Sequence, residues 1–308
     1  MRAITYDPGA PSGLRPAERD APRPGAGQAL VEVRAASLNF GEVAYLSRLK
    51  PGHVPGWDAA GTVVEAAADG SGPEAGARVV GFGPSGAWAQ QRAVDTAELA
   101  VIPDGVDFAT AAALPVAGVT ALRAVRALGS LLGRTVLVTG ASGGVGRIAV
   151  QLAARAGARV LAGAGSPERG EGLSRIGADG LVTGPDLVGL DEPVDAVIDN
   201  VGGPMLTAVL GYLAPGALVL AVGSAAREAT SVDLEDIRIR AGGARIEAFT
   251  VFAAGSGWAP DLTYLLQLIA SGTLDLQIGW RGGWDRVDEA AAALMERRVS
   301  GKAVLEVS

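Results

Sequence analysis

The sequence predicts an α/β protein that joins a small β-rich domain to a doubly wound, parallel-sheet domain of the Rossmann type. Three observations support this prediction. The 308 residues suit two domains of about 150 residues each. The first hundred residues carry short alternating runs separated by Gly and Pro. From Asp107 onward, β-like runs alternate with helical ones.

The predicted strands of the first domain are short amphipathic runs. Val31 and Val33 alternate with polar residues in "ALVEVRAASL", and similar runs follow in "GTVVEA" and "ARVVGFG". A period of two places one face of a strand in the core, and the Gly and Pro clusters supply the turns between strands. We therefore expect few helices before residue 100.

The second domain is predicted to begin with a helix. Asp107 is a good N-cap, and apolar residues recur at helical spacing up to Gly129. Strand-like and helix-like runs then alternate through "TVLVTG", "VGRIAVQLAARAG", "ARVLAGAG", "PERGEGLSRIG", "GLVTG", "VDAVIDNVG", "PMLTAVLGYLAPG" and "ALVLAVG". This alternation is typical of a parallel sheet covered by helices. The tail "DRVDEAAAALMERRVSGKAVLEVS" predicts a helix and a strand that can return to the first domain.

Composition excludes several kinds of site. The chain has no cysteine and one histidine, His53, which excludes disulfides, thiolate zinc sites and multi-histidine metal sites. A net charge of −7 argues against a nucleic-acid surface. No apolar run reaches the roughly 18 residues that span a bilayer, and Asp7 and Pro8 interrupt the position of a signal-peptide core. We therefore expect a cytoplasmic protein.

The stretch "LVTGASGGVG" predicts a dinucleotide-binding turn. It joins a strand-like run to a helix-like run, and Gly143 and Gly146 match the second and third glycines of a G-x-G-x-x-G pattern. Ala141 stands at the first position. Such a turn brings backbone N–H groups and a helix N-terminus close to a pyrophosphate.

The end of the next strand predicts the choice of dinucleotide. An acidic residue there would bind the ribose 2′-hydroxyl of NAD, and "VLAGAGSPERGEGL" carries none at the strand end. Ser166 can donate to a 2′-phosphate, and Arg169 can pair with it. We therefore expect NADPH as the cofactor. Glu168 is the nearby residue that would favour NADH instead.

Five segments together resemble the medium-chain dehydrogenase/reductase superfamily, in its zinc-free branch of quinone oxidoreductases and polyketide-type enoyl reductases. The resemblance covers nearly the whole chain, and the five segments occur in the family's order. They are "SLNFGEVAYLSRLKPGHVPGWDAAGTVV", "AALPVAGVTALRAV", "LVTGASGGVGRIAVQLAARAGARV", "VDAVIDNVGG" and "GKAVLEV".

The resemblance implies a fold with two lobes. A GroES-like β-rich domain would span residues 1–108 and be completed by residues 272–308, and a Rossmann NADPH-binding domain would span residues 109–271. It also implies a homodimer joined through the edge of the Rossmann sheet, with "ALVLAVG" or "IEAFTVF" as the edge strand. An alternative is that either run is an ordinary core strand.

The resemblance further implies hydride transfer from NADPH without a metal. Trp57 and Asp58 stand where zinc-containing members carry His and Glu. The acceptor would be a small apolar molecule, a quinone or a conjugated C=C bond in an enone or enoyl thioester. Enoyl reductases of the branch carry "GMYPG", whose Tyr is a candidate proton donor, and this chain has "RLKPG", so that Lys50 takes its place. Lys50 can donate a proton or hold an enolate oxygen, or it can be a solvated loop residue.

The remaining candidates follow from the same match. Asn39 would hydrogen-bond cofactor ribose or substrate oxygen, and Tyr45 offers a second hydroxyl near Lys50. Asp58 is expected to be structural. The residues expected to contact the cofactor are Thr120, Ala141, Ser142, Gly143, Gly144, Val145, Gly146, Ser166, Arg169, Asn200, Val201 and Gly223. The residues expected to line the substrate pocket are Phe40, His53, Trp57 and Phe252.

Two alternatives to a general quinone or enone reductase stay open. One is a tailoring enoyl reductase that acts on a polyketide-like intermediate in secondary metabolism. The other, from a different functional class, is an NADPH-binding sensor or scaffold that reduces nothing, because the tyrosine is missing. No nucleic-acid or membrane partner is expected.

Overall fold

A computed structural model describes residues 1–253 and 255–308 and confirms the predicted fold class. Contacts divide the chain into two units, Met1–Val119 with Gly255–Ser308, and Thr120–Ala254. The sequence placed the boundaries after residues 108 and 271 instead. None of the helices in the described ranges is both long enough and apolar enough to cross a bilayer.

The first unit is organised around an antiparallel-rich sheet. Its strand order is β14-β15-β3-β4-β5-β7, with β6 also paired to β3, and β1 and β2 form a separate hairpin. The strands are β1 (Arg2–Tyr6), β2 (Leu14–Glu18), β3 (Gln28–Leu38), β4 (Asp58–Glu65), β5 (Arg78–Phe82), β6 (Gln91–Asp95), β7 (Leu99–Val101), β14 (Ile278–Gly283) and β15 (Lys302–Glu306). Strand β15 pairs with β3 antiparallel, which confirms that the tail returns to the first domain.

Short helices surround this sheet. Asp107 caps the helix that begins at Phe108 in the predicted manner, since its Oδ1 accepts the N–H of Thr110 at 2.7 Å. The helix expected from Asp107 to Gly129 is divided at Leu114, where the ring of Pro115 disfavours helical backbone in the preceding residue. The helices are α1 (Phe40–Ala44), α2 (Phe108–Ala112), α3 (Pro115–Ala127), which crosses into the second unit, α7 (Ala259–Ala270) and α8 (Val287–Met295).

Helix α7 explains why the second boundary lies at 254/255. The buried ring of Trp258 stacks on Phe82 of β5 with centroids 4.0 Å apart. The carboxylate of Glu98 accepts the N–H groups of Gly257 at 2.7 Å and Trp258 at 2.9 Å. These contacts attach the start of α7 to the β-rich unit, although its sequence pattern continues the strand-helix alternation of the other unit.

The second unit is a parallel six-stranded sheet in the order β10-β9-β8-β11-β12-β13. The strands are β8 (Thr135–Thr139), β9 (Arg159–Ala164), β10 (Gly180–Thr183), β11 (Val194–Asp199), β12 (Leu213–Ala221) and β13 (Arg245–Ala248), and the helices are α4 (Gly144–Arg155), α5 (Gly203–Val209) and α6 (Leu234–Arg240). Leu137, Val197 and Val219, one from each of three neighbouring strands, are fully buried, as expected where helices cover the sheet.

In this unit one predicted helix is absent, and the sheet order decides between the two candidate edge strands. The segment "PERGEGLSRIG" forms only two 3₁₀ turns, Glu168–Gly170 and Ser174–Ile176, and the expectation of a helix was wrong. The positive φ of Gly172 (+78°) and Gly177 (+110°) ends helical geometry there. Strand β13, from "IEAFTVF", is the sheet edge, whereas β12, from "ALVLAVG", lies inside the sheet.

Candidate active site and cofactor turn

The glycine turn follows β8 and leads into α4. Gly143 is the N-cap of α4, and its N–H donates to Gly140 O at 2.9 Å. A Cβ on Gly146 would lie 2.2 Å from that same oxygen, so only glycine permits this approach of helix to turn. Gly143, Gly144 and Val145 are partly exposed at the helix N-terminus. The first N–H groups of a helix have no intrahelical acceptor, and the turn therefore fits a pyrophosphate.

Three strand ends meet beside this turn. Asn200, after β11, donates its Nδ2–H to Thr139 O at 2.8 Å, and its backbone N–H donates to Thr139 Oγ1 at 3.0 Å. A Cβ on Gly140 would lie 3.3 Å from Asn200 Cβ and 3.2 Å from Val201 Cγ2. A Cβ on Gly223, after β12, would lie 2.8 Å from Asn200 O. Ligands of open parallel sheets bind at such carboxyl ends of strands.

Buried Asp199 fixes the backbone at these strand ends. Its Oδ1 accepts Thr139 Oγ1–H at 2.5 Å, and its Oδ2 accepts Gly202 N–H at 2.9 Å. Burial raises the pKa of this carboxyl, while the hydrogen bonds from Thr139 and Gly202 oppose that rise. The hydrogen bonds show how the sequence holds the loop that begins at Asn200.

Ser166 and Arg169 lie together after β9. The Arg169 N–H donates to Ser166 Oγ at 3.4 Å, and both residues are partly exposed. A hydrogen bond from Ser166 lowers the pKa of the Glu168 carboxyl. The hydroxyl expected to meet a 2′-phosphate is therefore next to a carboxylate, which repels that phosphate.

The other predicted cofactor and pocket residues are divided between the two units. Thr120 is buried on α3 in the second unit, and Ala141 and Ser142 are buried in the glycine turn. Phe40 and Trp57 are partly buried in the first unit, and Phe252, half exposed, belongs to the second.

Asn39 lies in a buried polar network of the first unit. It is the N-cap of α1. Its Nδ2 donates to Glu42 Oε2 at 2.9 Å and to Asp58 Oδ2 at 2.8 Å, and its Oδ1 accepts from Lys302 Nζ at 2.6 Å. Both N–H bonds of the carboxamide are thus used inside the protein, and the remaining capacity of the side chain is a lone pair on Oδ1. Asn39 can accept from a ribose hydroxyl but has no N–H to offer a substrate oxygen.

Asp58 and Lys302 form the centre of this network. Asp58 is fully buried and accepts hydrogen bonds from Ser37 Oγ–H at 3.0 Å and from Val116 N–H at 3.0 Å. Lys302 Nζ lies 3.4 Å from Asp58 Oδ2 and donates to Leu38 O at 3.0 Å. The expectation that Asp58 is structural agrees with these contacts, because both of its oxygens are occupied by donors of the same unit.

Glu42 and Arg92 are two further ionisable residues beside this network. Glu42 accepts the N–H of Asn39 at 2.7 Å and that of Trp57 at 2.5 Å, and buried Arg92 donates to Trp57 O at 2.8 Å. Burial raises the pKa of Glu42 to about 8, and nearby Asp58 adds to the rise, while Asn39 and Lys302 oppose it. Burial lowers the pKa of Arg92 to about 10, against the attraction of Asp58 and Glu42.

Lys50 and His53 flank a tight turn after α1. The His53 N–H donates to Lys50 O at 3.1 Å across Pro51 and Gly52, and Gly52 has φ of +80°, as a type II turn requires. Lys50 is exposed and His53 is partly buried. Tyr45 is 43% exposed, and the Arg48 guanidinium covers its ring at 4.2 Å. Tyr45, Lys50 and His53 belong to one segment that follows α1 in the chain, whereas Asn39 precedes α1.

Sequence reasoning missed Glu42, Arg92 and Lys302 as members of a site, and Gly140 as part of the turn. The spacing Asn39-x-x-Glu42 is a capping-box signal that could have identified Glu42. Gly140, with φ of +60°, makes the tight turn that the pattern assigned to Ala141. No local signal links Lys302 to Asn39, which precedes it by 263 residues.

Comparisons with known proteins agree with this architecture. Residues 25–104 match the alcohol dehydrogenase GroES-like domain family, and residues 176–305 match a family described as zinc-binding dehydrogenase. The chain superposes on a quinone oxidoreductase of Pseudomonas syringae with a TM-score of 0.87, at 26% identity and 99% coverage of both chains. A mycobacterial structure in complex with NADPH gives a TM-score of 0.88, at 26% identity and 99% coverage of both.

Relatives identified by sequence extend the comparison. An acrylyl-CoA reductase of Ruegeria pomeroyi is 37% identical over 65% of this chain and 66% of its own length. A spectinabilin polyketide synthase protein of Streptomyces orinoci is 34% identical over 91% of this chain, which spans only 13% of that protein. This chain spans 10% of the length of the phthioceranic/hydroxyphthioceranic acid synthases of Mycobacterium. The chain belongs to the medium-chain dehydrogenase/reductase superfamily, in the branch of the quinone oxidoreductases and enoyl reductases.

Proposed function

We propose that the protein transfers a hydride from NADPH to a conjugated C=C bond, in an enone or enoyl thioester, or to a quinone, without a metal. Oxidoreductase activity and the NADPH cofactor come with the family. The observation that carries the proposal is the glycine turn, where Gly146 lets α4 approach Gly140 O and exposes the helix N-terminus. NADPH would supply the hydride, and the protein supplies binding and orientation.

The residues of the turn would hold the cofactor. Gly143, Gly144 and Val145 present the start of α4 to a pyrophosphate, and the carboxyl end of β9 presents Ser166 and Arg169 to a 2′-phosphate. Asn200, Val201 and Gly223 would contact the cofactor from the neighbouring strand ends. Thr120 is proposed to pack near the nicotinamide, as the family resemblance implies.

The contacts of Asp58 support a metal-free reaction. This carboxylate accepts from a hydroxyl, an amide, an ammonium and a backbone N–H, so that a cation would have to displace four donors. Among the residues that the structure describes, no cluster of three His, Cys, Asp or Glu suited to a metal is present. Activation of the acceptor is therefore assigned to its own conjugation and to hydrogen bonds.

Lys50 is the proposed proton donor to the reduced carbon, with Tyr45 as the alternative hydroxyl. Its backbone lies in the turn that follows α1 and precedes β4, and Pro51 and Gly52 fix this turn. Phe40, His53, Trp57 and Phe252 are proposed to contact the acceptor. The test measures oxidation of NADPH, with NADH as control, against an enoyl thioester, a cyclic enone and a quinone. Lys50→Ala should lower kcat for the conjugated carbonyls more than for the quinone, which is reduced without C-protonation.

The same assay separates the alternatives. Turnover restricted to polyketide-like thioesters would favour the tailoring reductase, which the similarity to polyketide synthases supports. Tight NADPH binding with no turnover of any of the three acceptors would contradict the reductase proposal and favour the sensor. Absence of NADPH binding, measured by cofactor fluorescence, would contradict both.

We further propose a homodimer joined through β13. This strand pairs with β12 on one side only, and the Phe249 N–H donates to Ala221 O, so by alternation the N–H and C=O of Ile246 point to the free edge. A second copy paired antiparallel about Ile246 would place Arg245 opposite the partner's Glu247 and Glu247 opposite the partner's Arg245. Ile246→Pro should give a monomer in sedimentation analysis, while Ala248→Ser should leave the dimer intact. A monomeric wild-type protein would refute this assembly.

A further inference from the structure

Glu42 is a buried acidic residue to which the reaction proposed above gives no role. It is 6% exposed, and its two carboxylate oxygens contact two different candidate site residues. Oε2 accepts the backbone N–H of Asn39 at 2.7 Å and its Nδ2–H at 2.9 Å, whereas Oε1 accepts the backbone N–H of Trp57 at 2.5 Å. One side chain thus joins Asn39, which can accept from a ribose hydroxyl, to Trp57, which is expected to line the acceptor pocket.

Trp57 is held at its carbonyl and at its ring by other groups. Its carbonyl oxygen accepts the N–H of Gly83 at 3.0 Å and Nη1–H of buried Arg92 at 2.8 Å. Its indole lies against α1, because a Cβ on Gly41 would be 3.4 Å from Trp57 Cη2. The hydrogen bond to Glu42 fixes the remaining N–H end, so losing that bond would loosen Trp57 without unfolding the strand that it precedes.

Glu42 can hold all three N–H groups only as a carboxylate. The ionised group is acceptor-only, whereas the protonated group carries an O–H, which puts a hydrogen opposite one of the three donors. Burial raises the pKa of Glu42 to about 8, and nearby Asp58 adds to the rise. The carboxyl therefore loses its proton near physiological pH, and its contacts to Asn39 and Trp57 are complete only after that loss.

The charged groups around Glu42 come from several elements of the first unit. Asp58 on β4 raises its pKa, and Lys302 on β15 lowers it. The positive charge of Arg92 on β6 is attracted to it. The charged residues on α8, which packs against α1, and on the short turn after α1 are exposed: Asp288, Glu289 and Arg48. Water screens these exposed charges, so Asp58, Lys302 and Arg92 dominate the titration.

We propose that Glu42 is a positioning residue that couples the cofactor site to the acceptor site, because its carboxylate holds Asn39 with one oxygen and Trp57 with the other. The inference rests on the proposed function, in which Asn39 meets a hydroxyl of NADPH and Trp57 meets the acceptor. Glu42 itself touches neither ligand. Since NADPH binding needs an oriented Asn39 and the carboxylate supplies that orientation, binding favours the ionised form and releases a proton.

Binding of NADPH tests the link to the cofactor, with Glu42→Gln as a mimic of the protonated residue. Between about pH 6.5 and pH 9.5, the affinity of wild type should rise about tenfold relative to that of the variant, as expected for one charge-assisted hydrogen bond. Calorimetry near pH 7.5, in buffers of different ionisation heat, should show that wild type releases about half a proton more per NADPH than the variant. Glu289→Gln removes an exposed carboxylate of the same unit and should behave as wild type.

Turnover of a cyclic enone tests the link to the acceptor. In wild type, KM for the enone should fall about tenfold as pH rises through about 8, and in Glu42→Gln it should stay at the high value, while kcat varies with pH by the same factor in both proteins. A purely structural role predicts the opposite, because the variant keeps its stability at alkaline pH and should then bind both ligands as well as wild type.

Identical pH profiles for wild type and Glu42→Gln, or an effect on NADPH or the enone alone, would overturn the inference while leaving the reductase proposal standing. If no acceptor is reduced, the reductase proposal fails and the calorimetry decides separately. Extra proton release by wild type would then support the link from Glu42 to Asn39, and equal release by the two proteins would refute it.

Discussion

Replacing Lys302 with methionine should strongly destabilise the β-rich unit. The change removes a buried ammonium that contacts Leu38 O, Asn39 Oδ1 and Asp58 Oδ2, in surroundings where Lys302 is 4% exposed and Asp58 is fully buried. Methionine fills a similar volume, so the main effect is electrostatic. Removing one partner of a buried ion pair costs about 3–5 kcal/mol, because the other charge is left uncompensated.

Urea unfolding followed by tryptophan fluorescence measures this effect directly. All five tryptophans, Trp57, Trp88, Trp258, Trp280 and Trp284, lie in the first unit, so the signal reports its unfolding alone. With an m-value of about 2 kcal/mol/M, the midpoint should fall by about 2 M.

The chain supplies a matched control, since Lys50 is its only other lysine and is exposed. Lys50→Met should change the free energy of unfolding by less than about 0.5 kcal/mol. Asp58→Asn combined with Lys302→Met should cost less than the sum of the two single changes, since neither charge is then left alone. A loss below about 1 kcal/mol for Lys302→Met would refute the reasoning that Asp58 is held as a buried anion.

Three further predictions concern single side chains. In the folded protein the pKa of Glu42 is raised to about 8 from an ordinary 4.5, so the folded state holds a proton that the unfolded state loses, and stability falls as pH rises from 4.5 to about 8. Glu42→Gln should remove this loss. In unfolding titrations, the slope of the free energy of unfolding against pH should differ between wild type and variant by up to about 1.4 kcal/mol per pH unit. Gly146→Ala should abolish NADPH binding measured by fluorescence, because its Cβ would lie 2.2 Å from Gly140 O, whereas Gly211→Ala, with no contact closer than 4.0 Å, should bind normally. Glu168→Gln should tighten NADPH binding severalfold without changing NADH binding, since it removes a carboxylate beside Ser166, and equal effects on both cofactors would contradict that assignment.

The cofactor turn could be predicted from sequence because its signal is local. Gly143 and Gly146 fall where a strand-like run becomes a helix-like run, and the structure has β8, the turn and α4 in that order. The spacing could not show that Gly140 takes the positive φ, because the G-x-G-x-x-G pattern begins one residue later. The choice of edge strand between "ALVLAVG" and "IEAFTVF" also depended on sheet order, which strand patterns do not contain.

The polar network could not be predicted because its members are distant in sequence. Asn39 was identified by resemblance, yet its partners lie on α1, β4 and β15, and their burial follows from the pairing of β3 with β15. Helix α7 shows the same limitation. Its apolar pattern is that of any covered helix, and only the stacking of Trp258 on Phe82 and the acceptance of two N–H groups by Glu98 assign it to the β-rich unit.

The position of β15 in the sheet has a consequence for biosynthesis. The ribosome makes Asn39 and Asp58 early. Lys302, whose ammonium pairs with Asp58 and donates to Asn39, is added only after the whole of the second unit has been translated. The second unit is continuous in the chain and can fold as soon as it emerges, as domains generally do during synthesis. Until residue 302 leaves the exit tunnel, the first unit has a carboxylate to bury without its ammonium, so we expect it to acquire resistance to protease later than the unit encoded after it.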